Sequence, residues 1–152
     1  MPITAVQVEQ RGPLRGAALP VEGQATPETI GRAWGQLLLR CGGVPAAAPP
    51  FGLRHGDGRY EACWSLFPGH PLPAGLREAE APGGWYAATL HEGPYDRIEE
   101  TLRLILDEWM PSGGFRRREG PVVERLLTDP RKAGEADLRT EILVPVQADP
   151  IE

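Results

Sequence analysis

Residues 90–110 read LHEGPYDRIEETLRLILDEWM, and the run that leads into them, AATLHEG at 87–93, echoes AALPVEG at 17–23. Both have Ala-Ala, three residues, then Glu-Gly, seventy positions apart. Each copy introduces a helix. In the second, over about 94–110, Tyr95, Ile98, Leu102, Leu106 and Trp109 recur at three- and four-residue steps, with Ile105 widening the apolar stripe. Pro94 suits the first helical position, Asp96, Glu99 and Glu100 sit near the positive end of the dipole, and Pro111 with Gly113-Gly114 marks the stop. The first helix, over about 26–40, has Thr26 as N-cap, Pro27 behind it and Gly42-Gly43 at its end, and carries Ile30, Trp34, Leu37 and Leu38 on one face.

After each helix the pattern changes to strand, polar turn, strand. FGLRHGDGRYEACWSLF (51–67) does this in the first half and PVVERLLTDPRKAGEADLRTEILVPV (121–146) in the second, with turn residues at His55-Gly56-Asp57-Gly58 and at Asp129-Pro130. Overlaying the halves sets Glu61 opposite Glu141. The chain therefore reads as one α+β domain over 1–152, built from half-repeats of about 1–70 and 71–152. Each is strand, helix, strand, strand, and they are related by a pseudo-twofold, with two helices packed on an antiparallel sheet. The junction of two such halves leaves a central groove suited to a ligand.

Composition narrows the possibilities. At 152 residues the chain can bury a core without covalent staples. Cys41 and Cys63 lie far apart with no metal-ligand spacing, so they read as buried thiols of a reducing compartment, and neither a metal nor a cofactor is expected. No apolar run is long enough to span a bilayer and the N-terminus lacks the pattern of a signal peptide, which points to a soluble cytoplasmic protein with no membrane partner. The formal net charge of −5 opposes direct nucleic-acid binding and favours cations. The basic cluster FRRREG (115–120) reads as a solvated loop.

His91 has no second histidine, cysteine or activated serine placed to form a triad or metal set. HEGPY therefore reads as punctuation for the helix start, as its echo VEG in the half without the histidine suggests.

LHEGPYDRIEETLRLILDEWMPSGG, then VERLLTDP, then LRTEILVPV together resemble the GyrI-like small-molecule-binding domain, also called the bacterial transcription-activator effector-binding domain, most closely over 85–147. The resemblance implies a tandem strand-helix-strand-strand fold whose groove takes flat, apolar, often cationic molecules between aromatic walls and an acid. On it, Glu141 of RTEILVPV is the expected anchor. Its place beside Leu143 on one strand face suggests burial, and a buried carboxylate needs a partner such as an entering cation. The alternative is a rim glutamate paired with Arg139 or Arg125. Glu124 is a second acid of the motif, while Leu126 stands where the family pattern has tyrosine, so one polar wall is replaced by an apolar one.

Aromatic faces attract planar cations, which makes Trp64, Trp85, Tyr95 and Trp109 the remaining ligand-binding candidates. Of the tryptophans, Trp109 and Trp34 at helical spacing favour the core, and Trp64 fits either role. Two functional classes follow. One is a stand-alone effector-sensing or sequestering module for hydrophobic, planar or cationic compounds, with any protein partner unspecified. The alternative is a hydrolase of strained cyclopropanoid compounds that uses a groove carboxylate and aromatics, as in some relatives. A gyrase-inhibitor-like protein contact is a third, weaker reading.

Overall fold

Alternation along the strands decides which side chains meet the helices. The computed structural model describes residues 5–129 and 134–148. Its antiparallel sheet contains β1 (Val6–Arg11), β2 (Leu14–Pro20), β3 (Phe51–Arg54), β4 (Tyr60–Ser65), β5 (Arg77–Ala81), β6 (Gly84–Glu92), β7 (Phe115–Arg117), β8 (Val122–Leu126) and β9 (Arg139–Ala148). The strand order is β1-β6-β9-β8-β3-β4-β2-β5, with β7 paired to β9. The order mirrors about the β3–β8 pair: β6-β9-β8 on one side matches β2-β4-β3 on the other. This is the pseudo-twofold α+β arrangement that the repeat predicts. At the axis Gly52 pairs with Glu124, and Glu61 and Glu141 hold equivalent ladder places opposite Leu53 and Arg125.

Two strands were absent from the expected unit. β1 and β5 are the leading strands of the two half-repeats, and each bonds in the half to which it does not belong by sequence: β1 to β6, and β5 to β2. The links from β1 to β2 and from β5 to β6 are only Gly12-Pro13 and Pro82-Gly83. Links so short between strands near opposite ends of the sheet force it to curl. The face turned away from the helices closes on itself: Ala18, Phe51, Cys63 and Ala81 share one apolar cluster with Tyr86, Ala88, Val123 and Leu143.

The other face carries the helices. α1 (Pro27–Cys41) begins with Thr26, whose side chain accepts from the Thr29 amide at 3.2 Å while Thr29 Oγ1 accepts from the Thr26 amide at 2.8 Å. It buries Ala33, Trp34, Leu37 and Cys41 against Tyr60, Ala62 and Leu126. The second helical segment is a 3₁₀ turn (Tyr95–Arg97), α2 (Ile98–Leu104), a π turn (Ile105–Trp109) and α3 (Met110–Gly113). It covers Ala87, Val122, Ile142, Val144 and Val146.

Of the expected stop residues, Pro111 with Gly113-Gly114, the proline does not end this helix. A proline inside a regular helix lacks a donor and meets the carbonyl four residues back, and the widened π turn just before it changes that spacing. The stop is Gly114, in the left-handed region at φ 77°. FRRREG is likewise not a free loop: Phe115–Arg117 form an edge strand on β9, and Arg118 donates to the Trp85 carbonyl and lies over the Tyr86 ring. Pro130 of the expected Asp129-Pro130 turn lies outside the described residues.

His91 is buried and staples the helix start. Nε2 lies 2.9 Å from the Pro94 carbonyl, which can only accept, so this nitrogen carries a proton; Nδ1 lies 2.8 Å from Thr101 Oγ1. Among the described residues no helix is long and apolar enough to cross a membrane.

Candidate ligand cleft

Between α1 and the start of the second helical segment the helices diverge over the symmetry axis and leave a cleft of about 720 Å³. Ile30, Trp34 and Leu38, one turn apart on α1, form one wall, and Tyr95 and Ile98 form the other. The floor comes from helix-facing positions of three strands: Arg54 of β3, Tyr60 and Trp64 of β4, Glu124 and Leu126 of β8. Those positions follow from a period of two, because Tyr60, Ala62 and Trp64 point one way and Glu61 and Cys63 the other.

The aromatic groups are held by their polar ends. Trp34 Nε1 donates to the Tyr60 hydroxyl at 3.1 Å, and Trp64 Nε1 donates to the Val44 carbonyl at 3.1 Å. Gly52 makes room for Tyr60: a Cβ there would collide with the Tyr60 ring and hydroxyl. Burial pushes the Tyr60 phenol well above its ordinary range, and Glu124 adds to the effect. Tyr95 is raised too, first by burial and then by Asp129. Its hydroxyl is buried with no hydrogen-bond partner among the described residues, a polar group at the cleft wall with bonding capacity to spare.

Glu124 lies at the floor with 2% exposure. Arg54 Nε sits 2.5 Å from one of its oxygens and Nη2 3.4 Å from the other. The same guanidinium lies 5.4 Å from the centre of the Tyr60 ring and 3.6 Å from the Glu99 carboxylate. Burial disfavours the Arg54 charge, but Glu124 outweighs it and the net shift is upward. Four carboxylates line the cleft (Asp96, Glu99, Glu124 and Asp129) against the single arginine, a formal balance of −3.

Of the six residues expected from the sequence, Trp64, Tyr95 and Glu124 line this cleft and Glu141, Trp85 and Trp109 do not. Glu141, the expected anchor, stands outside this cleft because of its parity on β9. Thr140 and Ile142 face the helices, whereas Glu141 faces away with Leu143. Arg11 Nη2 binds it at 2.8 Å and Arg125 Nη1 at 2.5 Å, so the paired reading describes it, with Arg11 as the partner not foreseen. Burial works against its charge, but the bonds from Arg11 and Arg125 more than offset this and lower its pKa. Glu61 repeats the arrangement with His55 at 2.8 Å and Arg77 at 2.9 Å.

Trp85 is 51% exposed near the start of β6, and Trp109 stacks on Phe115 with ring centres 5.6 Å apart. Arg54 and Tyr60 are cleft residues that the sequence does not single out, and Trp34, expected in the core, is both a buried core residue and part of the wall. The available signal was the two-residue alternation through Tyr60 and Trp64, read together with that through Glu124 and Leu126. Among the described residues no group of three His, Cys, Asp or Glu could hold a metal ion.

The model of the GyrI-like small molecule binding domain matches residues 52–147. The probable transcriptional regulator YgiV of Escherichia coli K12 is 28% identical over 122 residues, which cover 78% of this chain and 67% of YgiV. In fold the chain resembles the C-terminal domain of EcmrR, with a TM-score of 0.77 at 17% identity over 95% of this chain and 98% of that domain. It also resembles SAV2435 bound to tetraphenylphosphonium, with a TM-score of 0.64 at 12% identity over 95% and 94% of the two chains.

Proposed function

The chain belongs to the GyrI-like small molecule binding domain family, and from that premise we propose that it captures hydrophobic organic cations in the cleft between its two half-repeats, as an effector-sensing or sequestering module. The observation that carries this reading is the pairing of an apolar, aromatic cleft with a carboxylate-rich lining, Glu124 being the acid at its floor. A lipophilic cation with delocalised charge loses little hydration on entry, gains apolar burial and cation–π contact, and meets a favourable field. The cleft volume of about 720 Å³ suits a molecule of several aromatic rings. That SAV2435 holds tetraphenylphosphonium on a similar fold supports this class and supplies a probe.

Trp34 and Trp64 line the cleft, so their fluorescence reports occupancy. Titration with tetraphenylphosphonium, a planar aromatic cation and a neutral analogue of each should give saturable binding of the cations. Glu124→Gln should weaken that binding by about tenfold, the equivalent of about 1.4 kcal/mol, and leave the neutral compounds little changed. Equal binding of charged and neutral analogues, or unchanged cation affinity in Glu124→Gln, would remove the acid from the recognition and leave the cleft a purely apolar one.

A further inference from the structure

The groups at the floor that would attract a cation are already engaged. Glu124, the buried carboxylate, is bonded through both its oxygens to Arg54, and the face of Tyr60 lies beneath the same guanidinium at 5.4 Å. We propose that Arg54 is an internal cation seated in the cleft's own cation subsite, so that charged ligands bind by exchange with it and its hold on Glu124 sets which cations can enter. This inference rests on the cation-binding reading above and specifies how the site would work.

The geometry supplies somewhere for the displaced group to go. Arg54 ends β3, its side chain is 20% exposed, and Nη1 already lies 3.6 Å from Glu99, whose side chain is 66% exposed on α2. A short swing of the guanidinium toward Glu99 and solvent would free Glu124 and the Tyr60 face while keeping Arg54 next to a carboxylate.

Exchange also explains how so buried a carboxylate is tolerated. An unpaired charge at 2% exposure is costly, and here it has a partner before the ligand arrives and another once it is bound. A neutral aromatic compound cannot take over the pairing, so it must leave Arg54 in place and use only the space above it. A small, strongly hydrated ammonium ion would have to shed its water to reach the floor. Lipophilic cations with spread charge are the class that can replace a guanidinium at both an acid and a ring face.

The test compares wild type, Arg54→Met and Arg54→Lys, titrated with tetraphenylphosphonium and with neutral triphenylphosphine oxide. Arg54→Met removes the competing charge at similar bulk and should bind the cation about tenfold tighter, on the scale of one charge-assisted hydrogen-bonded pair, with the neutral compound unchanged. Arg54→Lys keeps Glu124 compensated but gives up the planar fork and the ring contact, and should show a smaller gain.

Equal or weaker cation binding by folded Arg54→Met overturns the proposal, as does equal tightening for the neutral compound, which would mean only vacated space. Should Arg54→Met fail to fold, Arg54→Lys decides alone: tighter cation binding supports exchange, and equal or weaker binding overturns it. Cation binding by wild type that neither variant strengthens removes the exchange and leaves the cation cleft standing. Absence of cation binding in all three proteins removes both.

Discussion

Glu124 and Glu141 are both acids on paired strands, and one step of strand parity separates their surroundings. Glu124 shares the helix face with Leu126, whereas Glu141 points to the opposite face between Arg11 and Arg125. The residue types and their order were legible in the sequence; which acid faces the cleft depended on where the helices lie, which only tertiary packing decides. Glu141→Gln should therefore leave cation affinity unchanged while altering stability in a pH-dependent way. The folded carboxyl is held below its ordinary 4.5, so its contribution is complete above that value and is lost as pH falls through the lower folded value. Urea unfolding should show a difference from wild type on the order of 1 kcal/mol at neutral pH for this partly buried cluster, vanishing in acid. Gly52 is decided by sterics alone. Gly52→Ala should cost about 1–3 kcal/mol in the same assay and weaken cation binding, because the added methyl drives Tyr60 from the floor.

Among the elements, those set by local chemistry are the ones a sequence displays. The start of α1 needs only Thr26, Pro27 and Thr29, and all three act within one turn. Thr26→Ala should lower stability by about 1 kcal/mol. It should also speed amide hydrogen exchange in the first turn of α1, which carries Pro27 and Ile30 on the cleft wall; unchanged exchange there would mean that packing alone holds the turn. The second helical segment shows where local rules were overridden. Pro111 looked like a terminator, but the apolar stripe through Ile105 and Met110 keeps the segment on the sheet and a π turn accommodates the proline. β7 was missed because Arg116 and Arg117 are exposed on a short edge strand, so neither burial nor hydropathy marked them.

For the whole molecule, the repeat was visible because it recurs in the chain, while the pairing of β1 with β6 and of β5 with β2 was not, since nothing local in either strand names a partner so distant. The curled sheet makes the two halves depend on one another. Unfolding in urea followed by tryptophan fluorescence, to which both halves contribute, and by far-ultraviolet circular dichroism should give coincident single transitions; separated midpoints would show halves that melt independently. The crossed leading strands carry a consequence for assembly. Among the described residues β1 has no ladder neighbour but β6, and β5 none but β2. A chain cut in the segment 66–76 would give two pieces, each holding the missing edge of the other, so neither could complete its own sheet and together they would rebuild it by mutual complementation. The same interlocking is what an intertwined pair of identical half-length chains would have, so the cleft on the axis corresponds to the interface of such a pair.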